Sequence, residues 1–358
     1  MGGKANMGKK MRKLLSLCLA VACVASGIAT ASSWTNVTTD VTAYETVGDV
    51  TSVEGEEKVK VVNGKEYLIE QDGKIQMIQD PNFYTGINML GVYPAVDDRN
   101  VKARLDYNGE ALSSAKIDPW EMTQWYSPPS LADGYTHLTQ GDYEYFKGTA
   151  AEKLVRVNRY KKELYMQLDT RYTTDNSSGF WPHILIEKTC TYKPTFGSIK
   201  SMTASLKFSI EDYENFTAPS GGKAAQVSWW FFITNGKADC WFGLPLFDSR
   251  QDIDNLGTYT GDGLGWEDYT LDATVTVART RFAPHITKVK VGETYEISVN
   301  IKEFFQAGLD QLKVKYSDFN ESLDGFYVTG WNFGWEMPNG TYKAGVRVSD
   351  FSILVEEK

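Results

Sequence analysis

The stretch that decides the fold is Leu164–Tyr192, LYMQLDTRY (164–172), TTDNSSGF (173–180) and WPHILIEKTCTY (181–192). Its two ends alternate between apolar and polar residues with period two, the pattern of strands that bury one face. The middle is a polar turn. Alternation places Leu164, Met166, Leu168, Ile184 and Ile186 on one face, and Gln167, Asp169, Arg171, His183 and Glu187 on the other. Read as a hairpin turning about Asn176–Ser178, the stretch sets Arg171 opposite His183 and Gln167 opposite Glu187. Opposed residues then lie about 5 Å apart and same-face neighbours along a strand about 6.5–7 Å apart. Acid, base and amide groups gathered on one face suit a polar ligand. The competing reading is a solvated ladder of ion pairs such as Asp169–Arg171.

Outward from this stretch the same texture continues. Short β-rich runs separated by Gly, Asn, Asp and Ser turns predict strands over 152–159, 163–172, 183–192, 199–210, 226–234, 239–244, 268–279, 293–301, 325–335 and 343–355, an all-β sandwich. Lys302–Lys313 places Phe305, Leu309 and Leu312 at helical spacing and predicts one crossover helix that caps an end of the sandwich. Asn82–Tyr135 contains Pro94, Pro119, Pro128 and Pro129, a density that predicts loop with short edge strands. Lys58–Ile78 alternates around Asn63-Gly64 and Asp72-Gly73, which predicts a small hairpin or meander. The expected organisation is a targeting segment (1–31), a flexible leader (32–57), a small β extension (58–80) and one large β domain (81–358).

The first 31 residues read as a signal peptide: Lys4, Lys9, Lys10, Arg12 and Lys13, then apolar Leu14–Ile28, then the small-residue site Ala29-Thr30-Ala31. Lipid anchoring at Cys23, after the lipobox-like Leu19–Ala22, ranks second. The full chain has 37 Lys+Arg against 46 Asp+Glu, a net charge of −9. Without residues 1–31 the balance falls to −14. That excludes nucleic acid and anionic membrane surfaces as natural partners, because both reward basic patches. A secreted protein with no membrane association after cleavage is expected. Of four cysteines, Cys190 and Cys240 remain. They bridge, closing a loop worth roughly 4 kcal/mol in the chain-entropy model, or stay as two buried thiols. The sequons at Asn36, Asn176, Asn215, Asn320 and Asn339 read first as turn asparagines and second as glycan acceptors.

Two further constellations carry chemistry. In Gly330–Pro338, GWNFGWEMP, alternation turns Trp331, Phe333 and Trp335 toward the core and Asn332 and Glu336 toward the opposite face. In SWWFFITNGKADCWFGLPLFDSR (228–250), Trp230 and Trp241 offer stacking surfaces, and Asp248 and Arg250 stand where they can reach a cleft mouth. Core packing serves either tryptophan equally well. Asp252, Asp254, Asp262 and Asp268 crowd a Gly-rich loop that leaves a structural calcium open, although the EF-hand order fails at Gly263. No other cofactor or metal is indicated. The three histidines, His137, His183 and His285, form no HExxH or His-x-His pattern, and there is no G-x-S-x-G elbow, P-loop or dinucleotide fingerprint.

The strand WPHILIE (181–187), the run WFGLPLFDSR (241–250) and the closing GWNFGWEMP (330–338) with VRVSDFSI (346–353) together resemble secreted bacterial proteins of the concanavalin A-like lectin/glucanase group. The resemblance covers roughly Gly141–Val355. It implies a jelly-roll β-sandwich whose concave sheet holds carbohydrate. The E-x-D-x-x-E strand of laminarinase-like members is absent, as is the R-x-E-L with Q-x-H pairing of alginate-lyase-like members, so no catalytic role carries over. The expected ligand contacts are Gln167, Arg171, His183, Trp181, Trp230, Trp241, Asp248, Arg250 and Asn332. Asp169, Glu187 and Glu336 are the candidate catalytic carboxylates of the alternative, a glycoside hydrolase or polysaccharide lyase. A non-catalytic adhesive surface protein is the third expectation.

Overall fold

The computed structural model describes residues 59–92, 100–107, 116–173, 181–256, 264–266, 272–316 and 319–358. The segments 1–31 and 32–57 and the turn about Asn176–Ser178 lie outside the described residues. In chain order the strands are β1 (Val59–Val62), β2 (Lys65–Leu68), β3 (Ile75–Gln76), β4 (Ile87–Met89), β5 (Ala103–Leu105), β6 (Trp120–Thr123), β7 (Tyr135–Gln140), β8 (Tyr143–Gly148), β9 (Lys153–Asn158), β10 (Glu163–Asp169), β11 (His183–Thr189), β12 (Ile199–Asn215), β13 (Gln226–Thr234), β14 (Asp239–Asp248), β15 (Leu264–Trp266), β16 (Asp272–Val277), β17 (Thr294–Asn300), β18 (Tyr327–Glu336) and β19 (Tyr342–Glu357). The helices are α1 (Ser249–Asp252), α2 (Arg279–Phe282) and α3 (Ile301–Lys315).

Two sheets form an all-β jelly-roll sandwich. One has eight strands, β17-β12-β19-β10-β9-β8-β7 in hydrogen-bonded order, with β3 on the far part of β19. The other has nine, β15-β16-β14-β13-β18-β11-β6-β4-β5. Strands β1 and β2 pair only with each other. The chain changes sheet repeatedly, so apolar residues from distant segments meet in one core. Leu164, Met166 and Leu168 enter from the eight-stranded sheet and Ile184, Ile186, Trp229, Trp331, Phe333 and Trp335 from the nine-stranded one, all fully or almost fully buried. Trp331 stands edge-on to Trp229 at 5.9 Å and packs on Phe351 at 5.4 Å. The Trp335 indole N–H donates across the sandwich to the Met166 carbonyl at 3.1 Å. Each such side chain contributes about 1.5–3 kcal/mol of burial.

The hairpin expectation is corrected. Strand β10 pairs with β9 and β19, whereas β11 pairs with β18 and β6. The two strands belong to opposite sheets, and neither the Arg171–His183 nor the Gln167–Glu187 pairing forms. Period-two alternation tells which residues face the core but not which strand lies alongside. Both strands turn apolar residues into one core, each from its own sheet, and stacked sheets lie ~10 Å apart.

Smaller differences follow the same logic. The proline-rich region supplies β4, β5 and β6, and β6 is interior, between β11 and β4. Its four residues are all buried. Helix α3 is longer than expected, because the Asn300 side chain accepts from the Glu303 N–H and starts it early. Phe305, Leu309 and Leu312 are its buried face. Cys190 and Cys240 are free and buried rather than bridged. Burial pushes the Cys190 thiol up to about 12.

Candidate functional site

Residues that alternate away from the core on the nine-stranded sheet form rows across it. Register places Glu121 (β6) opposite Glu187 (β11), Glu187 opposite Asn332 (β18), Asn332 opposite Trp230 (β13), and Trp230 opposite Gly243 (β14). Two pleats along, a second row sets His183 opposite Glu336, Glu336 opposite Gln226, and Gln226 opposite Asp248. Directly opposed side chains in such rows have Cβ atoms about 4.5–5.5 Å apart. The two rows are about 13 Å apart along the strands, at 3.3 Å per residue.

Glycines shape this face. The Trp230 ring lies across Gly243, where a Cβ would stand 2.3 Å from a ring carbon. Gly334, between Asn332 and Glu336, has φ +150°, and a Cβ there would stand 2.3 Å from the Ile184 carbonyl. Both positions therefore admit only glycine without rearrangement.

Glu336 is the best-defined group. One carboxylate oxygen accepts from the Trp230 indole N–H at 2.7 Å. The other lies 3.5 Å from His183 Nε2. The two side chains are 12% and 10% exposed, whereas Glu121, Glu187 and Asn332 of the other row are 1–3% exposed. His183 sits among rings: Trp181 stacks on it at 5.7 Å and 20°, Trp125 stands edge-on at 5.8 Å, and Tyr126 lies at 6.3 Å. Trp241 packs edge-on to Phe232 at 4.6 Å and to Trp230 at 6.2 Å, which extends the aromatic surface to β14. Several buried polar atoms have no hydrogen-bond partner among the described residues: Asn332 Oδ1, His183 Nδ1, Trp181 Nε1 and Thr123 Oγ1. Buried polar atoms are ordinarily satisfied, so these four are open to a bound molecule or water.

The structure thus brings together Glu187, Glu336, His183, Asn332, Trp181, Trp230 and Trp241, leaves Asp248 at the end of the second row, and separates Gln167, Asp169 and Arg171. Gln167, Asp169 and Arg171 belong to the other sheet or its end. Gln167 accepts from the Tyr165 hydroxyl at 3.1 Å. Asp169 caps the short 3-10 turn Thr170–Tyr172 and chelates Arg171 through Nε at 3.0 Å and Nη2 at 2.7 Å. That bidentate pair holds the Arg171 guanidinium above its ordinary range. Asp248 stands at the end of the second row, and both it and Arg250 are engaged locally. Asp248 caps α1, binds Arg250 Nε at 2.9 Å and Nη2 at 2.5 Å, and accepts from Gln226 at 2.8 Å. In the candidate calcium loop, Asp252 is consumed by Arg279 at 2.8 and 2.5 Å, with both side chains buried. Asp262 and Asp268 lie outside the described residues, and no group of three or more His, Cys, Asp or Glu that could hold a metal occurs among the described ones.

Glu121, Thr123, Trp125 and Tyr126 are the site neighbours that sequence reasoning missed. The alternation Trp120-in, Glu121-out, Met122-in, Thr123-out signals the first two, but a four-residue alternation in a proline-rich region reads as loop. A cavity of about 490 Å³, lined by Glu66, Lys116, Lys162 and Asp350 among others, shares no residue with these rows.

No family model matches the sequence, and no curated protein matches it. Among solved structures, the chain is similar to the xyloglucanase domain of NopAA, a type three effector from Sinorhizobium fredii in complex with cellobiose, at 13% identity, 62% of this chain, 96% of that one and TM-score 0.34. It is also similar to a thermostable cellulase derived from Cel12A of Rhodothermus marinus, at 13% identity, 66% of this chain, 100% of that one and TM-score 0.35. A family 12 xyloglucanase from Bacillus licheniformis follows at 10% identity, 62% of this chain, 97% of that one and TM-score 0.33. No helix among the described residues is long and apolar enough to cross a membrane.

Proposed function

We propose that the protein is an exported carbohydrate-binding protein that recognises an oligo- or polysaccharide on the outward face of its nine-stranded sheet. The observation that carries this reading is the joint presence, on one face, of the Trp230–Glu336–His183 contact, unsatisfied buried polar atoms on Asn332, His183 and Trp181, and a run of indole rings. Sugars need both: flat apolar surface for their C–H faces and fixed donors and acceptors for their hydroxyls. The basic and apolar character of residues 1–31 supports export. Affinity-gel retention and glycan-array binding test the site. Trp230→Ala and Glu336→Gln are expected to weaken binding at least tenfold while the fold persists by circular dichroism. Equal binding of wild type and both variants overturns the assignment.

A second reading has one observation of its own. Glu121 stands directly opposite Glu187, and a carboxylate pair on adjacent strands suits the ~5–5.5 Å separation of retaining glycoside hydrolysis. Of the sequence candidates Asp169, Glu187 and Glu336, Glu187 and Glu336 share this face about two pleats apart along their strands, roughly 13 Å. Under this reading Glu187→Gln abolishes release of reducing sugar and leaves glycan retention in place. Unchanged product release in that variant excludes it.

A further inference from the structure

Lys153 is the first residue of β9, in the sheet opposite the site, and its side chain is fully buried. Its ammonium donates to the backbone carbonyls of Ser127 and Pro129. Those carbonyls belong to the segment after β6, so this lysine reaches from one sheet to the wall of the other. The same segment is tied to the site. Ser127 Oγ donates to the His183 carbonyl at 2.8 Å, the His183 N–H donates to the Trp125 carbonyl at 2.8 Å, and the Trp125 and Tyr126 rings flank the His183 ring. Beside Lys153 stands Glu152, also fully buried, whose carboxylate oxygens have no hydrogen-bond partner among the described residues. A buried cation whose hydrogen bonds go to backbone carbonyls is an uneconomical way to stabilise a core. Its geometry has one evident consequence, which is to hold the Gln124–Asp133 segment in place.

We infer that Lys153 is a positioning residue that fixes the Trp125–Ser127 wall against His183, and that glycan affinity at the proposed site depends on its ammonium. The inference rests on the carbohydrate-binding reading only for its ligand, since the tether itself is independent of it. The charged groups that face Lys153 are Glu152, the residue just before its own strand, and Asp133, in the 3-10 turn Leu131–Asp133. Both favour the charged form, but burial outweighs them and lowers the ammonium to about 7. As the pH rises through that value the ion–carbonyl attraction is lost and the wall loosens.

The test compares wild type, Lys153→Met, Lys153→Arg and Ser127→Ala over pH 6–9, with glycan affinity and Trp125 fluorescence as separate readouts. Wild-type affinity is expected to fall about three- to tenfold across the window, beyond the change seen in Lys153→Met, which lacks this titration and binds weakly throughout. Lys153→Arg, which stays charged, loses that part of the pH dependence. Ser127→Ala removes one of the two bonds between this segment and the His183 backbone, the hydroxyl bond to its carbonyl, and lessens the pH step. Parallel affinity profiles in wild type and Lys153→Met overturn the inference. If no glycan binds to wild type at any pH, yet Trp125 fluorescence steps near pH 7 in wild type and not in Lys153→Met, the carbohydrate reading fails and the tether stands. If Lys153→Met does not fold, the Ser127→Ala profile decides, and an undiminished pH step there overturns the inference.

Discussion

Two strand-end aspartates and one mid-sheet glutamate sit in contrasting settings. Asp169-Thr170-Arg171 and Asp248-Ser249-Arg250 lie at the ends of β10 and β14, in opposite sheets, and are built alike. In each, the aspartate accepts the backbone N–H two residues on and chelates that residue's guanidinium. The charge is compensated within three residues. Glu336 lies in the last pleat of a central strand, where its partners come from neighbouring strands and are an indole N–H and an imidazole. Neither is a permanent cation, and a carboxylate has more lone pairs than these two contacts use. A strand-end Asp-x-Arg is therefore a closed structural device. A mid-sheet glutamate held by aromatic donors keeps acceptor capacity for something else.

That contrast can be broken in order of expected size. The largest effect belongs to Asp252→Ala, which strands the buried Arg279 guanidinium and should cost about 3–5 kcal/mol in urea unfolding, with glycan binding per folded molecule unchanged. Next come the face variants. Trp230→Ala and Glu336→Gln lose at least tenfold in affinity, about 1.4 kcal/mol, without a matching loss of stability. Gly243→Ala joins them, because its Cβ would displace the Trp230 ring. Isothermal titration beside thermal melts separates the two classes, and a face variant that loses stability instead of affinity erases the distinction.

The Lys153 ammonium gives a pH signature of the opposite sign in stability. Its folded value, about 7, lies below the ordinary lysine value of 10.5. Between these the unfolded chain binds more protons, so stability rises with pH from about 7 toward 10.5, by at most about 1.4 kcal/mol per pH unit. Below 7 both states are charged and the cost of the buried ammonium is fully present. Denaturation midpoints between pH 7 and 9 should therefore climb more steeply in wild type than in Lys153→Met. The smallest effects are those of the caps. Asp248→Ala and Asp169→Ala should each cost about 1 kcal/mol, the usual worth of an N-cap. The former is the larger because Asp248 also accepts from Gln226. Any loss of glycan affinity in Asp169→Ala would put the eight-stranded sheet back among the binding surfaces.

Much of the architecture was legible in the chain. Alternation located most strands within a few residues and sorted Trp331, Phe333 and Trp335 inward from Asn332 and Glu336, because a pleated backbone projects successive side chains to opposite faces whatever its neighbours. Asp169–Arg171 was legible as an ion pair but not as a cap, and Asp248–Arg250 as neither, since closure of both depends on a short helical turn after the strand. Glu121 was hidden because a four-residue strand in a proline-rich region carries too little pattern to declare an interior strand. The Lys153 tether left no signal, because its partners are backbone carbonyls some 25 residues away.

By itself, then, the sequence determined the fold class and, strand by strand, which side chains face the core, because those follow from local periodicity and the burial of apolar area. Only the tertiary structure decided that β10 and β11 lie in opposite sheets, and so that Asp169 and Arg171 leave the candidate site while Glu121, Trp125 and Tyr126 enter it. Strand partnership is a long-range choice, made by which apolar faces fill one core together, and alternation within a single strand carries no record of it.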